Sequence, residues 1–345
     1  MKFINKLKLQ ISVRFAVSII CILWLAASAG RGQTSTPSLA ASTKKLFIIA
    51  HNRDGKRIQG LQPSDMSILD NGSSATVLAV EPADAIPVRL GILLYSERET
   101  FKMQLDATTQ LLGKLRPEVD QAFVVTQAAV DNAHAWPDDS TARPWPTSQV
   151  VWTNLQDVVA FSRTLQWDTA IGRASELAAK MFATDPEKQF RRIIVQFRNP
   201  AAESMVEWGS APYKQLEERQ MNEIAEYQRE NVTVFTIGLP SPLSRAFNAP
   251  PSETMSRGNA QYLAYKAGES RMDRISGMTG GRYFSGDPNF KSYLNAIEAD
   301  LQCQLLLTFA TTANLNGATP HKLEIHTNRK DLKVNSQNQY FPVNP

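Results

Sequence analysis

The side chains best suited to chemistry cluster after one apolar strand. The stretch "GILLYSERET", residues 91–100, runs from Gly91 to Tyr95 as a strand and then breaks into Ser96, Glu97, Arg98, Glu99 and Thr100. Glu97 and Glu99, at i and i+2 on a turn, are two carboxylates that can converge. With Asp168 and Thr169 in "LQWDTAIGRAS" they would supply the oxygen ligands that a hard cation such as Mg²⁺ or Ca²⁺ requires. The same acidic residues also suit a helix N-terminus, where they complement the dipole, and Ser96 with Glu99 has the spacing of a capping box. Both readings stand on these residues alone.

Catalysis finds little to work with, and a non-enzymatic protein is expected. None of His51, His134, His321 and His326 forms an i, i+4 pair on a helix, and His321 and His326, five apart on a strand, point to opposite faces. No Gly-x-Ser-x-Gly elbow occurs, and Cys303 in the helical run "AIEADLQCQ" has no evident His partner and reads as a buried small hydrophobe. Thr279-Gly280-Gly281 lacks the Lys-Ser/Thr of a phosphate loop and precedes a strand, so it reads as a tight helix-to-strand turn. A hydrolase built on the acidic residues at this strand tip is the least supported option, because no nucleophile and base pair accompanies them. Trp136, Trp145 and Trp152 lie in or beside the proline-rich "HAWPDDSTARPWPTSQ". They form either a partner-binding surface, for which Trp136 and Trp145 are the candidates, or a plug on a sheet edge; Trp152, next to the following helix, favours burial.

Elements that could hold these residues alternate. "VRLGILLYS", "QAFVVTQAAV", "RRIIVQF" and "VTVFTIGL" are strands apolar on both faces, the pattern of a parallel sheet. Between them, helical periodicity marks "TFKMQLDATTQLLGKL", with Phe101, Leu105, Thr108, Leu112 and Leu115 on one face, and "KQLEERQMNEIAEYQRE", a solvated outer helix with an apolar seam. "AQYLAYKAGESRMDRISGM" and "FKSYLNAIEADLQCQ" follow as helices. The fold class expected is α/β, a doubly wound, mostly parallel sheet with helices on both faces. Turns at Asp54-Gly55 and Asn71-Gly72 mark a β segment before this region, and "LLLTFATT", "HKLEIHTN" and "DLKVNSQNQYFPV" mark strands after it. Neither set is large enough to bury a core alone, so the two are expected to form one small β domain.

The chain has 345 residues, with 37 Lys and Arg against 33 Asp and Glu. Residues 1–29 look like a secretory signal: Lys2, Lys6, Lys8 and Arg14, an apolar run too short for a membrane span, and Ala27-Ser28-Ala29 at the cleavage point. They carry all four excess positive charges. The remainder is balanced, which removes the electrostatic case for nucleic acid or an anionic membrane surface. The expected organisation is a signal over 1–29, a flexible lead-in over 30–44, a β segment over 45–86, an α/β domain over 87–304 and β strands over 305–345. Export to the periplasm or beyond the cell is expected, with no stable membrane span after cleavage.

The order and spacing of "GILLYSERET", "LQWDTAIGRAS", "RRIIVQFRNP", "VTVFTIGL", "RISGMTGGRYF" and "IEADLQCQLLLTFATT" resemble the von Willebrand factor type A (vWA) fold, more narrowly the exported bacterial VWFA-related domain proteins. "NRDGKRIQGLQPSDMSILDNG" is similar to their opening β segment. The resemblance implies a Rossmann-like sheet with a metal-ion-dependent adhesion site at its C-terminal edge, built from Asp-x-Ser-x-Ser, a later Thr and a later Asp. Carried onto this chain, those positions fall on Tyr95, Glu97, Glu99, Thr169 and Asn199, and only Thr169 matches. Tyr95 and Asn199 each lack a carboxylate, and Glu97 and Glu99 are longer than the hydroxyls they replace, so the resemblance implies a degenerate site. The function expected is protein–protein interaction or adhesion without cofactor or metal, through an unknown partner in the cell envelope, with Glu97, Glu99, Asp168, Trp136 and Trp145 as partner-binding candidates. Cation-dependent adhesion through Glu97, Glu99, Asp168 and Thr169 is the alternative.

Overall fold

Two sheets share the chain, and their residues explain the division. The computed structural model describes residues 42–95, 100–127, 134–136, 175, 178–179, 181–182, 190–200, 211–240, 260–285, 290–313 and 319–342. The described strands begin with β1 (Ser42–His51), β2 (Met66–Asp70) and β3 (Ser73–Pro82). Asn71 and Gly72 both take positive φ, 49° and 79°, which makes the two-residue turn between β2 and β3 that matches the natural strand twist. The chain then enters β4 (Val88–Tyr95), α1 (Phe101–Leu112), β5 (Gln121–Gln127), β6 (His134–Trp136) and β7 (Arg191–Arg198). It continues with α2 (Ala211–Arg229), β8 (Val232–Gly238), α3 (Ala260–Met278), β9 (Tyr283–Phe284) and α4 (Lys291–Gln302). The last strands are β10 (Gln304–Thr311), β11 (His321–Thr327), β12 (Lys333–Asn335) and β13 (Gln339–Tyr340).

The fold is mixed α/β. A six-stranded sheet runs β6-β5-β4-β7-β8-β9, with every pairing parallel except that of β6 at the edge. Leu90, Ile92 and Leu94 alternate with Gly91 and Leu93 along β4, and both sets are buried, because helices cover both sides. On one face Ala107, Leu111 and Leu112 of α1 meet Leu294 and Ile297 of α4; on the other Ile224 and Tyr227 of α2 meet Ile275 of α3 and helical residues Ala178 and Phe182. A side chain like Ile92, fully withdrawn from water, contributes about 1.5–3 kcal/mol.

The second sheet is antiparallel throughout, in the order β12-β1-β10-β3-β2-β11-β13, so strands from both ends of the described chain lie side by side. It curls around Leu46, Ile48, Ile68, Leu305, Leu307, Phe309 and Leu323. At one end of this core Asp70, fully buried, accepts hydrogen bonds from Thr311 Oγ1 (2.6 Å), Tyr340 Oη (2.7 Å) and His321 Nδ1 (2.9 Å), tying β2, β10, β11 and β13 together. His321 is therefore a cross-strand partner in the core, while His326 stays exposed. Burial, reinforced by the Asp70 carboxylate, pushes the Tyr340 phenol well above its usual range. Cys303, which joins α4 directly to β10, is buried and its thiol is pushed up for the same first reason. No helix among the described residues is long and apolar enough to cross a membrane.

Candidate functional site

β4 sits in the interior of the parallel sheet, flanked by β5 and β7, and its C-terminal tip is the edge where open α/β sheets hold ligands. The ladder to β7 reaches Leu93↔Gln196, so Tyr95 and Asn199, two and three residues further along their strands, share this edge. Tyr95 is half-buried and packs against the core on the α1 and α4 face; Asn199 is 9% exposed. Glu97, Glu99, Asp168, Thr169, Trp145 and Trp152 lie outside the described residues, as does the Ser96 capping box. Trp136 stands opposite Val124 on β6, the antiparallel edge strand, which accommodates part of the proline-rich excursion.

What holds the tip is a residue whose role sequence reasoning did not find. Gln104, on the second turn of α1 and 0% exposed, accepts a hydrogen bond at Oε1 from the Tyr95 amide (2.8 Å). It donates from Nε2 to the Tyr95 carbonyl (2.8 Å) and to Thr100 Oγ1 (3.1 Å). A carboxamide carries one acceptor and two donors, so it can satisfy both main-chain groups of a residue where the ladder to β7 has ended although that to β5 continues. The helical face is rotated accordingly. Gln104, Ala107, Thr108, Leu111 and Leu112 are the buried stripe, Phe101 and Leu105 flank it half-buried, and Leu115 lies beyond the helix, which ends at Leu112. The i+4 spacing of Gln104, Thr108 and Leu112 was the signal available in the sequence.

Beside the tip, on the other face, polar groups are buried in pairs. Arg198, with a side chain 2% exposed, donates from Nη2 to Glu223 Oε1 at 2.5 Å, and Ser175 Oγ donates to the same oxygen at 2.8 Å. This pair joins the end of β7 to α2, so Glu223 belongs to the inward seam of that helix rather than to its solvated face. Next along the sheet, Gln196 Nε2 and Ser276 Oγ both donate to Thr236 Oγ1 at 2.8 Å, linking β7, β8 and α3. The segment after Asn199 is pressed against α3: a Cβ on Gly268 would lie 2.1 Å from the Pro200 carbonyl oxygen, so only glycine admits this approach. The Thr279-Gly280-Gly281 turn closes similarly, since a Cβ on Gly281 would meet the Val234 carbonyl oxygen at 2.0 Å.

Chemically, the described part of this edge offers an amide-clamped strand end, a buried arginine–glutamate pair and an asparagine. Among the described residues no group of three or more His, Cys, Asp or Glu side chains converges in a way that could hold a metal ion.

No family model matches the sequence, and no curated protein matches it. Solved structures align with parts of the chain at low identity. The VWA domain of SpRpn10 is 11% identical over 61% of this chain and 94% of its own, with a TM-score of 0.36. The pilus adhesin SpaC from Lactobacillus rhamnosus GG is 9% identical over 72% of this chain and 36% of its own, with a TM-score of 0.45. Proximal thread matrix protein 1 from the mussel byssus is 14% identical over 65% of this chain, with a TM-score of 0.39, and this chain spans half of its length.

Proposed function

We propose that the chain is an exported, non-enzymatic interaction module with a doubly wound, vWA-like α/β domain, and that it engages a protein partner in the cell envelope without a metal. The order β6-β5-β4-β7-β8-β9, with the first strand of the domain in the middle and an antiparallel edge, supports the architecture. The signal-like residues 1–29 support export.

One observation carries the metal-independent reading. In a metal-dependent adhesion site the strand end is organised by a cation and its carboxylates; here the Gln104 carboxamide occupies both main-chain groups of Tyr95, and Tyr95 and Asn199 provide no carboxylate. A tip fixed by protein hydrogen bonds is preorganised for a partner without an ion, which lowers the ordering cost of association.

The test is calorimetric titration of the purified chain with Mg²⁺, Mn²⁺ and Ca²⁺, paired with cross-linking in the native envelope with and without chelator. The reading expects no saturable heat and partner cross-links at this edge that survive chelation. Saturable binding abolished by Glu97→Ala with Glu99→Ala would establish cation-dependent adhesion instead.

A further inference from the structure

A cavity of about 290 Å³ lies between α1 and α4, over β4 and β7, toward the N-terminal ends of the parallel strands and so away from the edge described above. Its walls are Leu90, Leu111, Leu115, Leu294, Ile297 and Leu301. Charged groups gather at the rim, and nearly all are already matched. Arg116 holds Asp120 through Nε at 3.1 Å and Nη2 at 2.8 Å, Lys114 pairs with Glu298, and Asp84 is taken by Arg57 from outside the cavity.

Arg191 is the exception. It is 8% exposed, and its guanidinium donates from Nε to the Ile86 carbonyl (3.1 Å) and from Nη1 to the Leu301 carbonyl (3.0 Å). Among the described residues no carboxylate comes within ion-pair distance of it. Carbonyl dipoles satisfy two donors but do not neutralise the charge, Asp120 and Asp84 act on it only from beyond ion-pair distance, and a buried guanidinium is ordinarily matched by an anion. Burial holds this group below its ordinary range; the Asp120 carboxylate opposes that effect, Arg116 adds to it, and Asp84 gives smaller opposition.

We propose that this cavity binds a small apolar monocarboxylate, its tail between α1 and α4 and its carboxylate on Arg191. The parts are those of a ligand site: apolar walls, one convergent charged donor and a volume at the lower end of the usual range. At about 30 Å³ for each water-sized group, the space holds a ligand of about ten non-hydrogen atoms. A guanidinium fork suits a carboxylate better than a neutral head, because both of its oxygens can accept from N–H donors. Such a ligand would sit against both crossings between the sheets, since Ile86 precedes β4 and Leu301 lies in the last turn of α4, just before β10.

Octanoate, 1-octanol and acetate are the probes, titrated calorimetrically into the purified full chain. Octanoate binds saturably at one site, and octanol and acetate bind at least tenfold more weakly. Arg191→Gln weakens octanoate roughly tenfold to a hundredfold, the range of a lost charge-assisted hydrogen bond, while Arg191→Lys retains part of the binding. Leu115→Trp, which enters the cavity from a half-buried position in the turn after α1, abolishes binding with the circular dichroism spectrum unchanged, and stands as the test if Arg191→Gln does not fold. Equal binding of octanol and octanoate, octanoate binding unaffected by Leu115→Trp, or no saturable binding to the unaltered chain overturns the proposal.

Discussion

Replacing Gln104 with leucine removes the clamp on the β4 tip while keeping a similar volume in the helix interface. Three hydrogen bonds vanish, at 2.8, 2.8 and 3.1 Å, and the Tyr95 N–H and C=O lose their partner. An unsatisfied buried main-chain group costs about 1–3 kcal/mol, and because Tyr95 is only half-buried, water recovers part of that, leaving a loss of about 2–4 kcal/mol. For a body of a few hundred residues this lowers the melting temperature by about 4–8 °C. Gln104→Glu adds a pH dependence. One carboxylate oxygen would still accept from the Tyr95 amide, but the other would face the Tyr95 carbonyl, which only a protonated acid can satisfy. The folded-state pKa of that glutamate is then raised above its unfolded value of about 4.3. Its stabilising contribution is present below that value and is lost as pH rises through the folded pKa. Urea unfolding of the three proteins at about pH 4 and about pH 8 measures both effects. A Gln104→Leu loss under about 0.5 kcal/mol, or a Gln104→Glu deficit that does not grow with pH, would show that the tip is held by something else.

Three further outcomes follow from the same contacts. Glu223→Gln, which leaves the buried Arg198 guanidinium facing an amide, should cost about 3–5 kcal/mol in urea unfolding, whereas Arg198→Met with Glu223→Leu should come close to neutral. Gln304 is fully buried with neither amide atom hydrogen-bonded among the described residues, so Gln304→Met should raise stability by about 1 kcal/mol, read as a higher unfolding midpoint. Burial pushes the Asp120 carboxyl up, but hydrogen bonds from the Arg116 side chain and from the Val88 and Arg116 amides outweigh it and hold it below its usual range. That stabilisation is present above the unfolded value near about 3.9 and is lost as pH falls through the folded pKa. Asp120→Asn should therefore cost about 1–2 kcal/mol at neutral pH, at the low end because the Arg116 side chain is 41% exposed, and the deficit should shrink in acid.

Much of the framework was legible in the residues because its signals are local. Runs apolar on both faces marked β4, β7 and β8 as interior parallel strands; the Asn71-Gly72 pair fixed a two-residue turn; "AQYLAYKAGESRMDRISGM" spans α3 from Ala260 to Met278. That Tyr95 and Asn199 carry no carboxylate could be read without knowing where either side chain goes. The rest depended on groups distant in sequence. Gln104 looks like a routine helical glutamine until α1 docks and places its amide on Tyr95, and Glu223 looks like one more surface charge until β7 brings Arg198 to it from 25 positions away. Likewise Arg191 reads as a charge at the start of a strand, and only the packing of α4 across β7 withdraws it from water beside an apolar cavity. Periodicity and turn chemistry act over a few residues, so a sequence carries them openly. Which buried polar group meets which partner is decided by the register and docking of whole elements, and that exists only once the chain has folded.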